Sequence, residues 1–336
     1  MAYIVDDYIL HQIELEKVKN GIVKKVLNTL DDADKAIKKE LARTKGVYTK
    51  KRYTEISSYI KKQTESLKEK VEEDIDVSGL VEYELAAQQK ILKKYTGDMF
   101  VSFKFPSAQQ VVSSALFQPL TENTTFQGYL ESISGQLYST WDSAVRTGYL
   151  TGMTSNQISR QVLGTVAKGS NVADAGTIGT LRKSLALNTR TALQSFANEA
   201  RTAVYERNDD MFSGYQFVAT LDQRSCLVCG SLDGEIRKSL KEFPHIPIHY
   251  NCRCLIIPII KGYEDLLYDG VRESENGEVS GKLTYSDWLE RQPEEIQKNI
   301  LGRSRYSLYS SGEKISNFVD DGRILTLAEL KTDQNT

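Results

Sequence analysis

Two short stretches carry all four cysteines of the chain: Cys226-Leu-Val-Cys229 and His249-Tyr-Asn-Cys252-Arg-Cys254. In the first, two residues separate the thiols, and a tight turn with that spacing directs both thiolates at one ion. His249 and Cys252 repeat the spacing. Two close pairs of soft or borderline ligands are typical of a structural zinc site. We therefore predict zinc bound by Cys226, Cys229, His249 and Cys252, with Cys254 as an alternative to Cys252.

Three other interpretations of these residues are open. Disulfides could form in an oxidising medium, although a reducing cytosol disfavours them during folding. The cysteines could be buried as reduced thiols, with His249 bonded to the main chain. Cys226 or Cys229 could act as a nucleophile with His249 as its base. Because crowded thiols suit a closed metal site better than catalysis, we do not expect an enzyme.

Composition limits the class of protein. The chain has 336 residues, and its 43 lysines and arginines are balanced by 45 aspartates and glutamates. This balance argues against nucleic-acid binding by bulk charge. No apolar run approaches the ~18 residues that span a bilayer, so we expect no membrane partner. The first residues, Met1–Asp7, carry acid where a secretory signal carries base, and we expect a protein that is cytosolic when made.

The sequence before the cysteines has the periodicity of helices, because apolar residues recur at three- and four-residue steps. Helices are predicted over residues 1–45, 50–73, 80–95, 124–148 and 178–208. A strand is predicted in Phe100–Pro106, and a loop over Lys168–Gly179. We interpret the paired lysines of the first hundred residues as solvated helix faces interleaved with acids. Residues 1–96 then form a charged helical arm that binds a partner, and 97–208 form a helical middle domain.

The spacing of apolar residues changes after residue 208 from the helical period to the alternation of strands. Gly214–Thr220 alternates in the manner of a strand, and Glu235–Lys238 and Leu255–Ile260 are two further strands. Pro258 lacks an amide donor, which favours an edge position for the last of these. With the cysteines, residues 209–260 are predicted to form a small α+β Cys/His knuckle on a mainly α protein.

The remaining sequence, 261–336, is polar and mixed. Trp288, Leu289 and Ile296 permit one helix near 285–301. We expect poor packing over residues 302–336 and describe 261–336 as a polar C-terminal extension.

Around the cysteines the sequence resembles the phage head-morphogenesis, minor-capsid family typified by protein F of phage Mu. Members carry Arg-Thr and a later Asn on a helix, a strand, and then Asp-x-(Arg/Lys)-(Thr/Ser)-Cys-x-x-Cys-x-x-x-Asp-Gly. A run Pro-x-His-x-Asn-Cys-Arg-Cys closes the motif. The matching residues here are Arg190, Thr191, Asn198, Asp222, Arg224, Ser225, Cys226, Cys229, Asp233, Gly234, Pro247, His249, Asn251, Cys252, Arg253 and Cys254. The match spans about residues 150–260, and Ala192 departs from it because many members have an acid there.

The resemblance implies a virion protein present in few copies, assembled in a bacterial host on or near the portal vertex of the head. The implied partners are the portal protein and the major capsid or scaffold protein, with packaged DNA as a weaker candidate. Such a protein would be multimeric in the virion and could be ejected with the DNA. Some relatives carry toxin or ADP-ribosyltransferase extensions, but residues 261–336 contain no nucleotide-binding pattern.

The charged motif residues suggest structural roles. Arg190 and Arg224 could pair with Asp222 or Asp233 and brace the knuckle. The glycine after Asp233 fits a turn that requires a positive φ. Arg253 alternates away from its flanking cysteines, and we expect it to meet a carboxylate partner rather than a phosphate.

Two other functions stay open. The chain could be a toxin or modifying enzyme delivered with the phage genome, which would require a nucleotide pocket. It could also be a nucleic-acid-binding zinc knuckle, which would bind through Arg253 with a steep dependence on salt.

Overall fold

The computed structural model describes residues 3–44, 48–97, 102–121, 124–163, 176–267, 270–320 and 322–332. The protein is mainly helical, with long helices at the N-terminal side, as predicted. Residues 209–260, here called the Cys/His module, contain the Cys/His cluster and short strands, also as predicted. None of the described helices is long and apolar enough to cross a membrane.

The bounds of the elements follow the chain. The helices are α1 (Ile4–Ala42), α2 (Lys50–Ile75), α3 (Val77–Thr96), α4 (Ala108–Ala115), α5 (Phe126–Thr151), α6 (Ser155–Leu163), α7 (Gly176–Arg207), α8 (Leu227–Leu232), α9 (Tyr285–Glu290), α10 (Glu294–Ser310) and α11 (Leu327–Thr332). The strands are β1 (Pro119–Thr121), β2 (Thr124–Thr125), β3 (Phe212–Val218), β4 (Ile236–Arg237), β5 (Leu255–Ile260), β6 (Val271–Ser274), β7 (Gly277–Ser280), β8 (Val319–Asp320) and β9 (Arg323–Ile324).

Two compact units divide these elements. The first, here the discontinuous unit, combines Met1–Glu16, Leu80–Val112 and Gln194–Thr336. The second, the helical unit, combines Lys17–Gly79 and Ser113–Leu193. The four segments predicted from the sequence (1–96, 97–208, 209–260 and 261–336) are each continuous, whereas each of the two units joins distant stretches of the chain.

The apolar stripes predicted from periodicity form the core of the helical unit. The predicted face of α2 is buried throughout, and so is that of α5, against which α2 packs. Trp141 on α5 is fully buried, and its indole Nε1 donates a 2.8 Å hydrogen bond to Oδ1 of Asp34 on α1. The short helix α6 begins directly after Thr154. Thr154 and Gln157 exchange the contacts of a capping box, because the Gln157 amide donates to the Thr154 hydroxyl and Gln157 Oε1 accepts from the Thr154 amide.

A three-stranded antiparallel sheet in the order β4-β3-β5 organises the discontinuous unit. Its central strand β3 pairs Phe217 with Ile256 and Tyr215 with Pro258. The edge position predicted for Pro258 is confirmed, because β5 has no partner on its other side among the described strands.

A buried ion pair joins the helices of this unit. Arg201 on α7 donates to both carboxylate oxygens of Glu84 on α3, at 2.7 and 3.2 Å, and His11 on α1 contacts the same carboxylate at 2.8 Å. Burial alone would raise the pKa of Glu84, but the Arg201 charge lowers it to about 2. These groups lie on otherwise apolar helix faces, and the hydrophobic pattern gives no indication of them.

The poor packing predicted for residues 302–336 is wrong for the part that the structure describes. Ile315, Phe318 and Leu325 are buried in an apolar cluster with Trp288 and with Leu227 of the Cys/His module. The apolar residues of this segment are widely spaced, so no helical or strand period reveals them, and they are brought together by α9, α10 and short turns.

Two predictions fall partly outside the described residues. Phe100 and Val101 lie outside them, and residues 102–106 are not in a strand, so the predicted strand is wrong where it can be compared. A loop was expected over Lys168–Gly179; residues 168–175 lie outside the described part, and Gly176–Gly179 belong to α7.

Candidate metal centre

Cys226 and Cys229 are held by the first turn of α8. Cys226 is the N-cap of this helix, and its sulfur accepts a 3.4 Å hydrogen bond from the amide of Cys229. The Cys226 carbonyl accepts from the amide of Gly230 at 2.9 Å. This turn fixes both thiols relative to each other, which is the arrangement that the two-residue spacing predicted.

His249 and Cys252 are held by a second turn. The amide of Cys252 donates to the carbonyl of His249 at 3.1 Å, and Asn251 has a φ of 61°, a left-handed conformation that asparagine tolerates. His249 Nδ1 lies 2.8 Å from the carbonyl oxygen of Tyr250 and donates to it. The other ring nitrogen, Nε2, lies 3.1 Å from the sulfur of Cys229. A main-chain carbonyl therefore orients the imidazole so that Nε2 is presented to the thiols.

The five candidate ligands lie in two overlapping groups. The ligand atoms of Cys226, Cys229 and His249 lie within 4.8 Å of one another, and so do those of Cys229, Cys252 and Cys254. Sulfur atoms bound tetrahedrally to zinc at 2.3 Å are separated by about 3.8 Å, so these spacings suit one ion. Cys229 belongs to both groups and links Cys226 and His249 to Cys252 and Cys254, the two candidates for a fourth position. The cluster can thus hold a metal ion, as the sequence predicted.

The thiols are reduced and mostly withdrawn from solvent. All four cysteines are free, with Cys229, Cys252 and Cys254 buried and Cys226 half-buried. The other histidine of the region, His245, lies in neither group, and its Nε2 is 2.7 Å from Oε1 of Glu199.

Because the thiols hydrogen-bond to one another, the pKa values of Cys226 and Cys252 are lowered and those of Cys229 and Cys254 are raised. The hydrogen bond between Cys226 and Cys229 lowers the pKa of the Cys226 thiol to about 5, and burial opposes this shift. The hydrogen bond with Cys226 raises the pKa of His249 to about 9. Without a cation, a proton on His249 balances the thiolate. A divalent ion would replace that proton, so metal binding should release protons.

Asp222 and Arg253 brace the two turns. Arg253 Nη1 lies 2.6 Å from Asp222 Oδ2, and Nη2 lies 2.7 Å from Oδ1. Asp222 Oδ1 also accepts from the amides of Arg224 and Ser225, at 3.0 and 3.1 Å. Burial alone would raise the pKa of Asp222, but the Arg253 guanidinium holds it below its usual range. The carboxylate partner expected for Arg253 is confirmed.

The predicted pairing of Arg224 with Asp222 is present as a weak surface ion pair, whereas the pairing predicted for Arg190 is corrected by the structure. Arg224 is exposed, and its Nε stays 3.6 Å from Asp222 Oδ2, so its contribution is small. Arg190 instead donates to Oδ1 of Asn20 at 3.1 Å. Arg253, rather than Arg190 or Arg224, makes the two short hydrogen bonds to Asp222.

Asp233 is paired with an arginine that the sequence analysis missed. Arg272 on β6 donates to both its carboxylate oxygens, at 3.0 and 3.2 Å, and Asp233 also accepts from the amides of Ala219 and Tyr285, each at 2.7 Å. Gly234 has a φ of 84°, as predicted, and a side chain there would meet Thr284. Arg272 lies 39 residues away in a polar stretch, so no local pattern could have identified it.

The remaining motif residues support the same module from α7 and the second turn. Asn198 is buried on α7, and Pro247 follows Ile246 through a cis peptide bond. Gln194, which the motif does not include, donates a 2.9 Å hydrogen bond to the carbonyl of Cys254. Ala192, where many family members have an acid, is fully buried.

Comparisons of the chain with models of known families, with curated proteins and with solved structures find no match in any of the three.

Proposed function

We propose that this protein is a minor capsid protein of a bacteriophage, a portal-associated component of head assembly. The observation that supports it is the arrangement of the residues on which the family resemblance rests. Asp222 and Arg253 brace the module, Asp233 and Gly234 shape its turn, and the cysteines with His249 form its centre. Each of these residues has a structural task, as suits an assembly protein.

In this proposal the Cys/His module holds one structural zinc ion. Three soft thiolates and an imidazole are ligands that zinc prefers, and the site is nearly closed to solvent. The ion would link the turn at Cys226 to the turn at His249 and so contribute directly to folding. The geometry supports Cys226, Cys229 and His249, with either Cys252 or Cys254 as the fourth ligand.

The proposed partners are the portal protein first, then the major capsid or scaffold protein, and last the packaged DNA. Assembly would take place in the cytoplasm of the bacterial host. The protein would then be a multimer in the virion head near the portal vertex until it is ejected with the DNA. The pairing of Arg253 with Asp222 weakens the alternative of nucleic-acid binding through that arginine, since its charge is already compensated.

Co-purification tests the proposal. The tagged chain is expressed together with the portal protein from the same phage genome, and we expect the two to elute as one complex. The portal of an unrelated phage is the control and should not elute with the chain. Failure to bind the cognate portal, together with absence of the chain from purified procapsids, would contradict the assignment. A portal gene immediately upstream would support it independently.

A further inference from the structure

A groove beside the Cys/His module has no role in the metal centre. It encloses about 560 Å³, which lies within the size range of ligand pockets. Its walls come from the first turns of α1, the end of β3, the start of β5 and the strand β6, all within the discontinuous unit.

The floor of the groove is apolar and its polar groups are already engaged. Ile9, Ile13, Val218 and Leu255 contribute aliphatic surface. Of the two side-chain amides that line the groove, Gln12 uses its Nε2 for Gln194 and Glu16 and its Oε1 for Arg201, and Gln223 donates its Nε2 to Glu275. A small polar ligand would find few free partners on this floor, whereas an aliphatic side chain would be desolvated there at little cost.

The arginines at the groove cannot attract an anion strongly. Arg253 is neutralised by Asp222, and Arg272 by Asp233. Only Arg224 presents an exposed guanidinium. Phosphate groups of a nucleotide or of DNA therefore lack the cluster of free cations that they require.

The rim formed by β6 and its hairpin is acidic. Glu273 and Glu275 line the groove, and Glu278 stands opposite Glu273 in the register of β6 and β7. Like charges directly opposite each other destabilise a hairpin. Among the residues that the structure describes, no lysine or arginine forms an ion pair with these three glutamates. A cationic group at this rim would relieve the repulsion.

The hairpin is anchored through its main chain, and the carboxylate of Glu275 is held by Gln223. The amide of Glu275 donates to the carbonyl of Leu221 at 2.8 Å, and Gln223 donates to the Glu275 carboxylate from its amide and its side chain. Arg272, adjacent to Glu273, is anchored by Asp233 and by the carbonyl of Leu283 at 2.9 Å.

We propose that this groove docks an extended segment of a partner protein in which an aliphatic residue is followed by lysine or arginine. The aliphatic side chain occupies the floor at Ile13 and Leu255, and the basic side chain lies between Glu273 and Glu275. Apolar burial supplies the affinity, and the charges set the orientation and exclude acidic segments. The inference rests on the groove alone and holds whether or not the portal is the partner.

Fluorescence polarisation with three labelled hexapeptides tests it on the full chain. The probe is capped Gly-Leu-Lys-Leu-Lys-Gly, with one comparator that has Glu for Lys and another that has Ser for Leu. We expect the probe to bind at least roughly fivefold more tightly than either comparator, and its affinity to fall as salt is raised. Equal binding of the acidic comparator, or tighter binding of a short DNA duplex, would overturn the proposal.

Matched variants locate the site. Glu273→Gln with Glu275→Gln should weaken the probe at least roughly fivefold, because both rim charges are removed. Glu69→Gln with Glu72→Gln removes two exposed acids of α2 and should leave binding unchanged. Ile13→Ala, whose fold is checked by thermal melting, should weaken the probe without altering its salt dependence. Probe binding that is the same in the rim double variant and the wild type would refute the assignment.

Discussion

Arg253 and Asp222 join the two ligand-bearing turns through a bidentate ion pair, with Nη–Oδ distances of 2.6 and 2.7 Å. Both side chains are largely withdrawn from solvent, at 14% and 13% exposure. Arg253→Lys cannot keep both bonds, and we expect it to lower the free energy of unfolding by about 2 kcal/mol. Urea unfolding at neutral pH measures this change.

Arg224→Lys is the matched control for that variant. Its guanidinium is 80% exposed and makes one long contact to the same carboxylate. We expect a change of less than about 0.5 kcal/mol. If Arg253→Lys and Arg224→Lys lowered the free energy of unfolding by similar amounts, the Arg253–Asp222 ion pair would contribute no more than an exposed contact.

Cys229 belongs to both groups of candidate ligands, so it is needed whichever cysteine completes the site. Elemental analysis of protein purified without added metal should find about one zinc per chain in the wild type and none in Cys229→Ser. Because metal binding is coupled to folding, a chelator should lower the melting temperature of the wild type and have little effect on the variant.

Cys252 and Cys254 can be distinguished by the same measurement. A single tetrahedral ion needs only one of them beside Cys226, Cys229 and His249. We expect one of Cys252→Ser and Cys254→Ser to lose zinc and the other to retain it. A wild-type chain that contains no metal and melts normally, with both variants harmless, would exclude the metal centre.

Gly230 leaves room for a buried tyrosine. A Cβ at this position would lie 2.3 Å from Cδ1 of Tyr285, whose ring is fully buried. Gly230→Ala should therefore lower the free energy of unfolding by about 1–3 kcal/mol. Gly135→Ala in α5 is the control, because no atom lies within 4 Å of its added Cβ, and it should stabilise the helix by up to about 1 kcal/mol. Stabilisation by both changes would contradict the packing of Tyr285 on α8.

Asp34 makes stability depend on pH. Burial raises the pKa of this carboxyl to about 6, and the hydrogen bond from Trp141 opposes the shift. The native state thus holds the Asp34 proton more tightly than the unfolded chain does. The contribution of protonated Asp34 to the free energy of unfolding is complete below about pH 4 and is lost as the pH rises through about 6. Asp34→Asn retains an acceptor for Trp141 and should be more stable than the wild type by about 2 kcal/mol at pH 7.5.

Chemical unfolding at pH 3.5 and 7.5 tests this prediction, and the advantage of Asp34→Asn should disappear at the lower value. Asp32→Asn on the same helix is the control, because Asp32 is 76% exposed and pairs with the exposed Lys35. A constant difference between Asp34→Asn and the wild type at both pH values would show that Asp34 does not titrate as described.

Local patterns predicted much of the fold. Six apolar residues of α5 recur at three- and four-residue steps and all are buried: Phe126, Leu130, Ile133, Leu137, Trp141 and Val145. The spacing within Cys226–Cys229 and His249–Cys252 likewise identified the cluster, because a turn of four residues fixes where its two ends point. In both cases the information lies within a few residues of the chain.

Features set by distant contacts could not be read from the sequence. Asp233 depends on Arg272, and the buried Glu84 on Arg201, at separations of 39 and 117 residues. The prediction of poor packing over residues 302–336 was wrong for the same reason, since Ile315 and Phe318 are buried by residues that no local period connects to them.

The discontinuous unit also constrains the order of events during synthesis. Its first sixteen residues leave the ribosome well before the last strands and helices that complete it, whereas the helical unit needs nothing beyond residue 193. The early turns of α1 meet α3 through Glu84 and Gln88, but Gln12 gains its partners Gln194 and Arg201 only after α7 has been synthesised. A truncated chain that ends before Gln194 would leave the buried polar groups of these turns without their partners on α7 and become a target for proteases and chaperones.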